Sequence, residues 1–250
     1  METISLHTNE EKSRALFEAF FLTQDVSASM QDNYDYPKEC FQMKTVKNKQ
    51  IWRAIKCLSP FKALGPDVVP NAILKYNAKI LIPILGPLYR ATFTLNYYLE
   101  KWKTYTTVEL WKPGKPNYSN LWVYRGITLL STISKVLSVY VAEVLMYWSK
   151  KLALLPSNQF GGHLGRITNN AIHTVATYTK QAWRQSDAVM LLFLDVCATF
   201  PSIVIKRLVH DMRKRGVLKK LMDWIEVKLR GCSTTITTIM YHQITQWQMG

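Results

Sequence analysis

The stretch "AVMLLFLDVCATFPSIVIKRL", residues 188–208, decides how the chain is read. An apolar run from Met190 to Leu194 ends on Asp195, and the aromatic Phe200 follows five positions later. The eight residues from Val189 to Val196 are apolar on both alternating faces, which predicts a buried β-strand. A carboxylate at the mouth of such a strand is costly to desolvate unless a cation or a set of donors meets it. On spacing alone, the commonest role for such an aspartate is a helix N-cap or a solvated loop position.

Working outward, the chain has 250 residues, enough for one large domain or two small ones. Apolar residues make up 48%, sufficient for a real core. The charge is lopsided: 32 Lys and Arg against 17 Asp and Glu leave a formal +15. Such an excess points to a polyanionic partner, most often nucleic acid. Between Lys101 and Leu194 the only acids are Glu109, Glu143 and Asp187, while the cations include Lys112, Lys115, Arg125 and Arg166. A second basic run holds Lys206, Arg207, Arg213, Lys214, Arg215, Lys219 and Lys220. It falls on a helical pattern and reads as a solvated face.

The cysteines Cys40, Cys57, Cys197 and Cys232 show neither C-x-x-C nor zinc-finger spacing. They read as reduced intracellular thiols. The N-terminus lacks a basic region followed by an apolar one, so it does not read as a signal peptide. The most apolar stretch, "ILIPILGPLY", contains two prolines and is too short to span a bilayer, so no membrane partner is expected.

Helical periodicity appears over 10–22, 45–58, 71–99 with interruptions near Pro83 and Pro87, 127–151, 167–184, 202–215 and 217–230. Residues 106–110 read as a short strand running into a Pro/Gly loop, and "STTITTIMYHQITQWQ" as a hairpin. "SASMQDNYDYPKEC" reads as a polar, turn-rich linker. Gly161, Gly162 and Gly165 lack the Gly-Lys-Ser/Thr that would complete a phosphate loop. His163 and His173 have no third metal ligand nearby, and no serine sits in a G-x-S-x-G context.

Four segments occur in order: "SPFKALGPDVVPNAILK", "ELWKPGKPNYSNLWVYRGITLLSTISKVL", "LLPSNQFGGHLGRITNNAIH" and "LFLDVCATFPS". Together they resemble the reverse transcriptases of non-LTR, jockey-like retrotransposons. The resemblance implies an α+β, mostly helical fold, with right-hand polymerase fingers and an incomplete palm. It places an N-terminal helix and linker at 1–46, fingers at 47–187 and the first part of the palm at 188–250. It implies an RNA template, a DNA primer and a deoxynucleotide as partners. Asp195 matches the family's metal-binding aspartate, with the Val196 carbonyl as a further ligand for Mg²⁺, a hard cation that takes oxygen ligands. Phe200 matches the steric gate against a ribose 2′-hydroxyl. Arg125 matches the arginine that contacts the incoming triphosphate, assisted by Lys112 or Lys115. Gly162, Gly165 and Arg166 match a fingers segment near the template.

Departures from the family pattern are also visible. "LDVKGAF" is here "LDVCATF", with Cys197 where lysine is usual, and "KAPGPDGIP" is "KALGPDVVP". "YRPI" is "YRGI", and "GGRPGRST" is "GGHLGRIT". The family's next metal-binding carboxylates, in a "YxDD"-like motif, have no match, and no Asp or Glu follows Glu226. The expectation is a reverse transcriptase fragment, intracellular and nuclear if expressed, that does not polymerise as this chain. The alternatives are a non-catalytic RNA-binding remnant that uses the basic fingers face, and an unfolded pseudogene product.

Overall fold

A computed structural model describes residues 8–21, 34–118, 120–163, 165–196, 203–238 and 244–248. They form eight α-helices, two short 3-10 helices and four strands within an α+β fold. The chain divides into two compact units, residues 1–140 with 198–250, and residues 141–197.

The core of the first unit combines aliphatic side chains with a cluster of aromatic rings. α2 (Asn48–Cys57) buries Ile51, Ala54 and Ile55, spaced at three and four residues. α3 (Asn71–Tyr76) leads into α4 (Ala78–Thr94), which buries Ile82, Leu85, Tyr89 and Phe93. α4 runs unbroken through Pro83 and Pro87, so the expected interruption does not occur. The buried Gly86 lets α2 approach: a Cβ there would lie 2.7 Å from Asn48 Oδ1. Arg90 fastens the same junction, donating to Val46 O at 3.2 Å and Asn48 Oδ1 at 3.0 Å. α8 (Lys219–Leu229) brings Trp224, fully buried, against Phe93 with ring centroids 4.6 Å apart. Tyr98 meets both Trp224 and Trp102 edge to face. Packing of this kind makes truncation of such a tryptophan cost about 3–5 kcal/mol.

The sheet has the order β2-β1-β3-β4. β1 (Thr104–Trp111) pairs antiparallel with β2 (Tyr124–Leu129) and parallel with β3 (Ser233–Thr238), which pairs antiparallel with β4 (Ile244–Gln248). The hairpin expected at the C-terminal end is therefore present as β3 and β4. β2 was not anticipated: 127–151 reads as one helix, whereas α5 spans Thr132–Lys151 and residues 124–129 are a strand. Thr107 ties three strands together, its hydroxyl 3.1 Å from that of Thr128 and 2.7 Å from that of Thr234. α1 (Asn9–Phe20) starts with a capping box, Thr8 Oγ1 accepting from Glu11 N and Glu11 accepting from Thr8 N. It buries Ser13 and Leu16.

α6 (Thr168–Arg184) matches its expected span within one residue, and α7 (Ile205–Lys214) starts three residues later than expected. The strand expected over Val189–Val196 is not formed. Residues 187–196 are irregular, and Met190, Leu192, Phe193 and Leu194 are each more than 80% exposed. A strand requires a neighbour to satisfy its N–H and C=O groups, and β1 takes β2 and β3 as its partners instead.

Candidate nucleic-acid and nucleotide interface

The β1–β2 hairpin carries Lys112, Lys115 and Arg125, three of the four basic residues singled out in the sequence. Side chains alternate across a strand, and the two faces of this sheet differ. Tyr105, Thr107 and Glu109 point to the covered face, with Thr234 and Ile236 on β3. Leu110 and its partner Arg125 lie on the other face and are exposed. The Arg125 side chain makes no hydrogen bond or ion pair among the described residues, so its guanidinium fork is open to an anionic ligand. Trp111, Tyr118 and Trp122 around the hairpin are also exposed.

The structure separates the two lysines. Lys112 closes the hairpin: its N–H donates to Val123 O at 2.7 Å and its ammonium to Trp122 O at 2.6 Å. Tyr118 adds a hydrogen bond to Lys112 O at 3.1 Å. Lys115 is exposed, in the loop, and has no such partner among the described residues. Lys112 therefore shapes the loop, while Lys115 stands exposed on it.

The "GPD" loop supports α5. Ser131 donates its hydroxyl to Asp67 Oδ2 at 2.7 Å, and Ile133 N donates to the same oxygen at 3.4 Å. Thr132 Oγ1 donates to Val69 O at 2.7 Å. The carboxylate thus sits where the helix N-terminus offers unpaired N–H groups and positive potential. A Cβ at Gly65 would fall 2.1 Å from Leu130 O, so only glycine allows the loop to approach this closely. Val68, where the family pattern has glycine, adopts φ +52.

Glu109 is buried on the covered face beside Gly126, and neither of its carboxylate oxygens makes a hydrogen bond within the described protein. Burial pushes its carboxyl up to about 7.

In the second unit, Arg166 holds its own loop. Its guanidinium donates to Ser157 O and, at 2.6 Å, to Gln159 O, and lies over the Phe160 ring. Gly162 and Gly165 take φ +72 and +81, which glycine adopts without strain. Asp195 and Val196 are exposed on the irregular segment. Phe200 and Cys197 lie outside the described residues.

A pair of divalent cations with oxygen ligands needs several carboxylates. Among the described residues no group of three His, Cys, Asp or Glu is placed to hold a metal ion. The described residues around Asp195 therefore do not fit that ion pair by themselves. No helix among the described residues is long and apolar enough to cross a membrane.

Sequence reasoning missed Asp67 as a capping group, Glu109 as an unpaired buried carboxylate, and a cluster of Tyr34, Tyr36 and His210 with Arg213 and Lys214. The signal for that cluster was present in "NYDYP" and in the basic run, but the two are distant in sequence.

No family model matches the chain. The chain is similar to the probable RNA-directed DNA polymerase from transposon BS of Drosophila melanogaster, 27% identical over 229 residues, which are 89% of this chain and 25% of that protein. It is 31% identical over 142 residues to the probable RNA-directed DNA polymerase from transposon X-element of the same organism, covering 57% of this chain and 16% of that protein. It is 22% identical over 173 residues to the RNA-directed DNA polymerase from mobile element jockey, also of D. melanogaster, covering 68% and 19%. The chain is thus a relative of non-LTR transposon polymerases, and it spans a quarter or less of the length of each.

Proposed function

We propose, from this kinship, that the chain is part of the reverse transcriptase domain of a non-LTR retrotransposon, contributing fingers and the first part of a palm. Its ligands on this reading are an RNA template, a DNA primer and a deoxynucleotide. The observation that carries the proposal is the exposed Arg125, whose side chain has no partner among the described residues, on a hairpin whose sequence resembles the family's triphosphate-contacting segment. Arg125 offers a planar fork to phosphate oxygens. Lys115 adds a second cation, and Lys112 holds the loop that presents it. The loop tied by Arg166 serves the template, Asp195 and Val196 serve a metal ion, and Phe200 is the gate that favours deoxynucleotides. The same reading places the protein inside the cell, in the nucleus where it is expressed.

Mg²⁺ supplies charge neutralisation in such polymerases, and these 250 residues bring one matching carboxylate, Asp195. We therefore propose that the residues engage nucleic acid but need further carboxylates to polymerise. The test is an anisotropy titration of labelled poly(rA)/oligo(dT) with residues 1–250. Binding should weaken steeply with salt, because neutralised phosphates release counterions. Arg125→Ala combined with Lys115→Ala should weaken it about tenfold or more. Absent or salt-insensitive binding would contradict the proposal.

A further inference from the structure

A second surface in the first unit combines rings and cations in a way that the hairpin does not. Tyr34 and Tyr36 pack edge to face, with centroids 5.0 Å apart. The His210 ring on α7 meets both, at 5.0 and 5.5 Å, and its Nδ1 lies 2.9 Å from the Tyr36 hydroxyl. The Arg213 guanidinium lies 4.0 Å from the Tyr36 ring centre, and the Lys214 ammonium 5.7 Å from that of Tyr34. Three half-buried aromatic rings thus pack together, with one cation over each tyrosine.

The arrangement is rigid. Cys40 N donates to Gly216 O at 2.9 Å, and Lys219 N donates to Glu39 Oε1 at 2.8 Å. Gly216 has φ +80, and a Cβ there would lie 2.3 Å from Cys40 Sγ, so the segment lies directly on the turn after α7. Together with the Tyr36–His210 bond, these contacts fix residues 36–40 along the corner between α7 and α8. Fixed rings lose little entropy on meeting a ligand.

The charge around them is positive. α7 and the turn after it carry Lys206, Arg207, Arg213, Lys214 and Arg215 against the single acid Asp211, already paired with Arg207 at 3.2 Å; the tyrosine segment carries Asp35, Lys38 and Glu39, and Glu39 accepts from Lys219 N. An acidic peptide would match the charge but would add no planar group to the Arg213–Tyr36 stack. A single-stranded nucleic acid satisfies both features: bases stack on aromatic and guanidinium planes while phosphates meet the flanking cations.

We infer that the Tyr34–Tyr36–His210 face, with Arg213 and Lys214, binds single-stranded RNA or DNA without sequence preference. The inference shares with the proposed function a nucleic-acid partner, but it concerns a different surface and does not need Arg125.

The test is an anisotropy titration of fluorescein-labelled oligo(U) and oligo(dT) twelve-mers with residues 1–250, run in parallel with the Arg125→Ala/Lys115→Ala protein. Tyr34→Ala should weaken single-strand binding about tenfold without changing the salt slope, since stacking carries no counterion release. Lys214→Ala should lower the slope by about 0.7, one phosphate's worth on a single strand. Photo-crosslinking of the unmodified protein with a 5-iodouridine oligomer needs no variant to fold, and should map to residues 34–36 and 205–215. Crosslinks confined to other segments would overturn the inference. So would Tyr34→Ala and Lys214→Ala proteins that fold and bind unchanged, or polyglutamate that competes as well as RNA of equal charge. Loss of binding only in the Arg125→Ala/Lys115→Ala protein would also overturn it, while supporting the proposed function.

Discussion

Ser131 donates its hydroxyl to the carboxylate of Asp67 at 2.7 Å, joining residues 64 apart in sequence. This bond seats the "GPD" loop on the N-terminus of α5 and so fixes the helix that follows β2. Asp67→Ala removes an acceptor that serves both Ser131 and Ile133 N. Loss of a cap of this kind costs about 1–2 kcal/mol. Denaturant unfolding should show that loss, and Asp67→Asn should recover part of it.

Val68 tests the neighbouring residue in the opposite direction. A β-branched side chain at φ +52 is strained, and left-handed backbone costs a non-glycine residue about 1–2 kcal/mol. Val68 is 69% exposed, so its side chain contributes little burial to offset that cost. Val68→Gly should raise stability by about 1 kcal/mol after the greater freedom of glycine in the unfolded chain is counted. An unchanged or lower unfolding midpoint would show that the loop does not carry this strain.

Glu109 links stability to pH. Its carboxyl titrates near 4.5 in an unfolded chain and near 7 when buried in the fold. The folded protein therefore holds the proton more tightly between those values. The contribution of Glu109 is fully present below pH 4.5, falls as pH rises, and is lost above pH 7. Glu109→Gln abolishes this dependence. The stability difference between variant and parent should grow in favour of the variant from pH 5 to pH 8, as measured by thermal unfolding across that range. A difference that is flat with pH would show that Glu109 finds a partner in solution.

Much of the helical framework could be read from spacing, because α1, α2, α6 and α8 each repeat apolar residues at three and four positions. β2 was hidden because Ile127, Thr128 and Leu129 run directly into the apolar period of α5, so their pairing with Val108, Thr107 and Thr106 left no local mark. The segment before Asp195 failed for the converse reason. Its residues favour a strand, but a strand forms only against a neighbour, and local preference does not say whether one is there. At the hairpin, sequence brought out Arg125 but could not divide the roles of Lys112 and Lys115, which depend on where the Trp122 carbonyl lies. The Tyr34–His210 cluster joins a tyrosine in an apparent linker to a histidine in an apparent solvated helix, a pairing only the fold reveals.

The most direct test of the account is primer extension on poly(rA)/oligo(dT) by residues 1–250 with Mg²⁺ or Mn²⁺, with template–primer binding measured in the same samples. If these residues belong to a reverse transcriptase domain and Asp195 is one of several carboxylates its metal ions need, as we propose, binding should be salt-sensitive with no incorporation above background. Incorporation that disappears in Asp195→Ala, or a complete absence of binding, would contradict this proposal.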